Sequence, residues 1–287
     1  MSFRALVLGL SILTAPLSSA CAQELATAQA TTAEIAATHV MIPAPDGRTI
    51  DMSVWTAPDE KGVVVYSHGF GGSPQAYHRI LSEWAQHGFT VIAPLHVDSL
   101  RHPQHADYDN RAAFSTRLMD LAVARGVARR AHAGKPIIAA GHSFGSLISM
   151  IEAGAVTIAG PLGDPEVKGV IAFSTAGDIP GLIQPTTYAA MTAPLLLVTG
   201  DQDLVQGYVS DPTDHRHPYE LSPAGDKTLI TFAGADHELI GKADDADFAV
   251  IVEATEDFLD AYATGDEAAR ARLAALPAPE GVKIERR

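Results

Sequence analysis

At 287 residues, with 47% hydrophobic side chains, the chain carries the apolar content of one large folded domain, which excludes a wholly disordered chain. Its 34 acidic residues against 20 basic ones leave a formal charge of −14, which repels a phosphate backbone and excludes charge-driven nucleic-acid binding. A single cysteine, Cys21, excludes an intrachain disulfide framework.

The first residues have the pattern of an export signal. Arg4 gives a positive start and residues 5–17 an apolar run, shorter than the roughly 20 residues that span a bilayer. Ser18-Ser19-Ala20-Cys21-Ala22 then offers an Ala-x-Ala cleavage pattern. Removal of residues 1–22 is therefore expected, leaving a secreted or periplasmic chain without a transmembrane segment. A lipoprotein anchored at Cys21 is the competing reading, but it prefers a large aliphatic residue where Ser18 stands. Residues 23–38, rich in Ala and Thr, read as an N-terminal tether. A folded catalytic domain is expected over 39–265, with a C-terminal helix and tail over 266–287.

Residues 40–42 and 50–55 flank an Asp46-Gly47 turn and read as two strands. Short apolar runs then alternate with helical stretches: strand 63–66, helix 74–87, strand 90–93, helix 111–131, strand 136–140 and a helix from Ser143. Strands over 167–173, 194–199 and 227–232 follow, and a helix over 244–263 closes the series. Strands that are apolar at every position are buried on both faces. The pattern predicts an α/β fold, with about eight mostly parallel strands and helices on both sides. The stretch 175–192 has room for a loop but not for a large cap domain.

Gly141-His142-Ser143-Phe144-Gly145 is a G-x-S-x-G motif in the setting that gives it meaning, with an apolar strand before it and a helix after it. Such an elbow holds its serine on a strained turn. Gly141 and Gly145 are needed because side chains there would strike the adjacent helix and strand. Ser143 is the candidate nucleophile. It needs a base, and His237 stands directly after the last apolar strand in Gly234-Ala235-Asp236-His237-Glu238. An orienting acid belongs between them in the chain. Asp203, three residues beyond Gly200, is favoured over Asp201, with Asp178 a more distant choice. His68-Gly69-Phe70-Gly71-Gly72 follows the strand 63–66, where the loop lining an oxyanion hole is expected. The backbone N–H groups of Phe70 and Phe144 are assigned as its donors, His68 as a scaffold residue inside the loop, and the Phe70 ring as part of an acyl wall.

These motifs, in this order, resemble the α/β-hydrolase superfamily over nearly all of residues 40–263. The pairing of the 68–72 loop with the 141–145 elbow is most similar to exported dienelactone-hydrolase-like and platelet-activating-factor-acetylhydrolase-like esterases. Chlorophyllases and bacterial polyester hydrolases are similar at the same two places. The resemblance implies a Ser-Asp-His esterase without metal or organic cofactor, acting on a small-molecule or lipid-like ester. The chain departs from dienelactone hydrolases proper, which use a cysteine nucleophile, and from polyester hydrolases, which carry a tryptophan after the sixth strand and a disulfide.

Two long loops, 96–110 and 204–226, are candidate walls of an open site. Their histidines (His96, His102, His105, His215 and His217) read as polar rim residues, since the spacing lacks a helical His pair or a cysteine partner for a metal. Tyr108 or Tyr219 is the expected contact for a leaving group. A binding protein that has lost turnover, or an amidase, thioesterase or perhydrolase built on the same three residues, are the alternatives. Dehalogenase and epoxide hydrolase chemistry would need an aspartate at position 143.

Overall fold

Nine strands form one mixed sheet in the computed structural model, which describes residues 34–287. In chain order they are β1 (Thr38–Pro43), β2 (Thr49–Trp55), β3 (Gly62–Ser67), β4 (Phe89–Pro94) and β5 (Ile137–Ser143). Then come β6 (Val167–Thr175), β7 (Leu195–Gly200), β8 (Lys227–Phe232) and β9 (Val282–Arg286). Across the sheet the order is β1-β2-β4-β3-β5-β6-β7-β8-β9. The six strands from β4 to β8 pair in parallel, while β1, β2 and β9 join antiparallel. This is the doubly covered, mostly parallel sheet that the apolar runs predict.

The helices explain those runs. They are α1 (His78–Gln86), α2 (Asn110–Ala131), α3 (Phe144–Glu152), α4 (His217–Leu221), α5 (Leu239–Lys242), α6 (Asp245–Leu259) and α7 (Glu267–Ala275). On one face Val64 and Tyr66 of β3 pack with Trp84 of α1, Ile251 and Phe258 of α6 and Leu273 of α7. On the other, Val63 and Val65 pack with Leu121 and Ala124 of α2 and Leu147 and Ile148 of α3. Every residue of β3, β4 and β7 is buried as a result. Aspartates start the long helices: the Asp109 carboxylate accepts from the Ala112 amide, and that of Asp244 from Ala246 and Asp247. Caps of this kind are worth about 1 kcal/mol each.

Two details differ from the expectation, and a third agrees with it. Residues 282–286 form β9 rather than a polar tail, pairing Ile284 with Ile230 and Val282 with Phe232 at the sheet edge. Lys283, Glu285 and Arg286 hide that strand from a hydropathy reading, and the same charges blunt the edge against further pairing. The tether ends earlier than residue 38. Ile35 donates from its amide to Ser82 Oγ at 2.8 Å, and Ile35 and Ala37 pack on the core. Between β6 and β7 the chain makes turns without a helix, and it buries Tyr188 and Met191, so no cap enters there. The export signal, the Ala22 cleavage site and the Cys21 anchor lie outside the described residues. Among the described residues, no helix is long and apolar enough to cross a membrane.

Candidate active site

β5 runs into α3 through Ser143, whose backbone has φ 52° and ψ −122°. A side-chain-bearing residue at positive φ is strained by about 1–3 kcal/mol and persists only where its surroundings enforce it. The enforcement here is close packing. A Cβ on Gly141 would lie 2.5 Å from the Gly145 carbonyl, and one on Gly145 would lie 2.0 Å from the Ser67 carbonyl oxygen. Gly145→Ala is therefore expected to lower stability by about 1–3 kcal/mol or more through overpacking against backbone that cannot yield. A urea titration checks this, and an unchanged midpoint would refute it. Since Ser143 caps α3 without using its side chain, the first amides of α3, including that of Phe144, have no side-chain cap there.

Asp203 and His237 come from the loops after β7 and β8. Gly200 lets those loops touch, since a Cβ there would lie 1.9 Å from the Ala235 carbonyl oxygen, and Gln202 N–H donates to that same oxygen at 3.0 Å. The Asp203 side chain is fully buried and its Oδ1 lies 2.7 Å from His237 Nδ1. Oδ1 also lies 2.9 Å from His215 Nε2, and Oδ2 accepts from Thr199 Oγ1 at 2.7 Å. Burial alone would raise the Asp203 pKa, but the hydrogen bonds from His215 and His237 hold its carboxyl well below the usual range. A carboxylate only accepts, so His237 carries its proton on Nδ1 and leaves Nε2 as the basic nitrogen. Asp201 is spent elsewhere, its Oδ1 accepting from the Gly234 amide at 2.7 Å. Asp178 pairs with His217 at the surface, at 3.0 Å. The geometry thus brings Asp203 to His237, and neither alternative.

His142 joins this pair to the elbow. Its ring packs against that of His237, centroids 4.8 Å apart, and its Nε2–H donates to the His237 carbonyl at 2.8 Å. His142 Nδ1 accepts from the Tyr77 hydroxyl at 2.8 Å, and that hydroxyl accepts from the Gly69 amide at 3.2 Å. One chain of hydrogen bonds therefore runs from the 68–72 loop through the elbow to the histidine loop. Burial, followed by the neighbouring His237, pushes His142 down to about 3, and burial pushes Tyr77 up to about 12. Both stay neutral near pH 7, which this donor order requires. Ser143 Oγ makes no hydrogen bond to His237 among the described residues. Such contacts commonly tighten only when substrate binds.

The Phe70 ring is 55% exposed and meets Phe144 edge-on at 6.2 Å, with Phe114 behind Phe144 at 6.3 Å. His68 is the scaffold residue expected of it. Its Nδ1–H donates to Gly69 O at 2.7 Å, and its Nε2 accepts from the His96 amide at 3.1 Å.

The loop histidines need correction. His96 and His215 are not rim residues but fully buried. His96 bridges Asp120 Oδ2 and Ser67 Oγ, each at 2.9 Å, while His215 backs Asp203. Both loops fold inward before they emerge, so a histidine in a long polar loop ends up in the interior. Tyr219 is also buried, beneath Arg287, so it is not available to a leaving group. Sequence reasoning missed Tyr77 and the true place of His215. Tyr77 gave no signal beyond an aromatic in a helix, where packing is the ordinary explanation.

Asp203, His215 and His237 bring potential ligand atoms within 4.8 Å of one another, as do Asp178, Asp214 and His217 nearer the surface. In the buried trio His237 Nδ1 aims its proton at the carboxylate and His215 Nε2 aims its own at the Asp203 backbone carbonyl, 2.9 Å away, so their lone pairs do not converge on a metal position.

Comparison with known proteins agrees with the architecture. Residues 58–187 match the family model of serine aminopeptidases of the S33 type, a span that includes the elbow and stops short of Asp203 and His237. No curated protein sequence matches the chain. Among solved structures, a soluble variant of monoglyceride lipase from Saccharomyces cerevisiae, in complex with a substrate analog, superposes with TM-score 0.59. It is 14% identical and covers 82% of this chain and 97% of its own. A puromycin-hydrolyzing peptidase of Mycobacterium tuberculosis gives TM-score 0.61 at 14% identity, over 81% of this chain and 40% of its own. The esterase domain of a Rhodothermus marinus protein gives 0.56 at 17%, over 79% and 99%. These likenesses, with the mostly parallel sheet flanked by helices, show the α/β-hydrolase fold.

Proposed function

We propose that the chain is a serine hydrolase that cleaves carboxylic esters through an acyl-enzyme. The observation that carries this reading is the buried Asp203 carboxylate 2.7 Å from His237 Nδ1, in a loop docked on the strained turn of Ser143. In the proposed reaction Ser143 Oγ attacks the ester carbonyl while His237 Nε2 takes its proton, and the alcohol leaves with that proton. Water, deprotonated by the same imidazole, then releases the acid. Asp203 holds the tautomer and stabilises the imidazolium, and the Phe70 and Phe144 amides receive the oxyanion. No metal or organic cofactor enters this scheme.

A lipid-like ester fits the surroundings, because Phe70 and Leu204 stand 55% and 52% exposed on loops that carry the proposed machinery, and Leu100, whose amide donates to Gly71 O, is 73% exposed beside the first of them. The motif pairing favours an exported esterase of the dienelactone-hydrolase-like or platelet-activating-factor-acetylhydrolase-like kind. Amide cleavage is the second reading, favoured by the aminopeptidase family model over residues 58–187. The test is labelling with a fluorophosphonate, followed by p-nitrophenyl esters of rising acyl length and matching p-nitroanilides. The expected result is one adduct on the peptide carrying Ser143, with esters cleaved far faster than anilides. An adduct on another residue, or none on folded protein, would overturn the reading. Anilide turnover matching that of the esters would favour the peptidase.

A further inference from the structure

Arg117, in the middle of α2, is fully buried, and a guanidinium in a core demands a full set of partners. It has them. Nε and Nη2 grip the two carboxylate oxygens of Asp98, each at 2.8 Å. Nη1 donates to the His68 carbonyl at 2.6 Å and to Ser67 Oγ at 3.2 Å, and Nη2 donates to the Gly69 carbonyl at 3.1 Å. All five guanidinium N–H groups find an acceptor, an arrangement the three donors of lysine could not reproduce. Asp98 extends the grip, its Oδ2 accepting from the Gly71 amide at 3.1 Å.

The targets are the backbone groups on either side of Phe70. In a planar trans peptide, the C=O of one residue and the N–H of the next point in opposite directions. Gly69 O accepts from Arg117 on α2 and, within its own loop, from His68 Nδ1–H at 2.7 Å and the Gly72 amide at 3.1 Å. The Phe70 N–H is thereby turned away from α2. Gly69 packs on His142 of the elbow, where a Cβ would come within 2.8 Å of Nδ1, so the turned amide belongs to the segment that lies along the elbow. Among the described residues that amide donates to no protein group.

Resting on the ester-hydrolase reading, we infer that Arg117 is a positioning residue: with Asp98 as its anchor, it sets the Phe70 amide as an oxyanion donor through the Gly69 carbonyl. It touches no substrate. Its effect belongs to the transition state, because the donor matters most when negative charge forms on the carbonyl oxygen.

The test compares wild type, Arg117→Lys, Asp98→Asn and Ser143→Ala on one activated ester, each first shown to be folded by near-UV circular dichroism. It also measures inhibition by a trifluoromethyl ketone, which places an oxyanion in the hole. The expected result for Arg117→Lys is a fall in kcat of about 10²–10³, as for a lost oxyanion donor. KM should move by less than about threefold, and ketone affinity should fall in parallel with kcat. Asp98→Asn, which sets an amide donor against a guanidinium N–H, should fall in the same direction by a smaller factor. It serves alone if Arg117→Lys does not fold. A folded variant with wild-type kcat and ketone affinity, or one whose loss lies wholly in KM, would overturn the role of Arg117. Turnover that survives in Ser143→Ala would instead overturn the hydrolase reading on which it rests.

Discussion

Ser143→Ala is expected to lower kcat on an ester by about 10⁶, the size of effect seen when the nucleophile of a serine hydrolase is removed. KM should change little, since the hydroxyl is proposed to act in bond formation more than in holding the substrate. Stability should change little too. Alanine keeps the Cβ, and so inherits the same strain at φ 52° that serine bears. Ser143→Gly makes the complementary case. Glycine accepts positive φ without a steric penalty, so this variant should be inactive and yet more stable, by about 1 kcal/mol. Paired rate and urea measurements on the two variants separate the functions of Oγ and Cβ at one position. Turnover within tenfold of wild type in Ser143→Ala would remove the serine from the mechanism. A Gly variant no more stable than the Ala variant would mean that the elbow is not strained in the sense argued.

The parts legible in the sequence were those set by burial on two faces. β3, β4 and β7 are buried at every position, so an unbroken apolar run could mean little else. The glycines of the elbow were legible for a similar reason, because a backbone approach within 2.5 Å leaves one residue type. What stayed hidden depends on where polar side chains go once the loops fold. His96 and His215 look solvated in a long loop and are buried against Asp120 and Asp203. Arg117 sits among ordinary helix formers and reads as a solvated face, until the helix turns it under the 68–72 loop. β9 is an edge strand with three charged residues in five, so its half-buried Val282 and Ile284 are too few to show an alternation. Long polar side chains can be buried only as a set. A one-dimensional reading sees each member but not the set.

The choice between Asp201 and Asp203 shows the same limit at closer range, and it yields the second large expected effect. Asp203→Asn should lower kcat by about 10⁴ while leaving KM near wild type, as expected when an orienting acid is replaced and the imidazole tautomer is lost. The reason is in the donors it faces. Thr199 and His237 donate to the two oxygens of the Asp203 carboxylate, with His215 Nε2 also 2.9 Å from Oδ1, and an asparagine amide must turn its own N–H₂ toward one of these donors. Asp201→Asn should stay within a few-fold of wild type, because a side-chain amide oxygen can still accept from Gly234 N–H. Stability gives an independent reading with a definite sign. The folded-state pKa of Asp203 is depressed, so its contribution is fully present above the ordinary carboxylate value near 4 and is lost as pH falls below it. The wild-type advantage in urea midpoint over Asp203→Asn should therefore be largest at neutral pH and shrink toward pH 3. If Asp203→Asn retains turnover within tenfold, the orienting role moves to whichever of Asp201→Asn and Asp178→Asn collapses it. A stability difference that grows on acidification would mean that the carboxylate is not held by its two imidazoles.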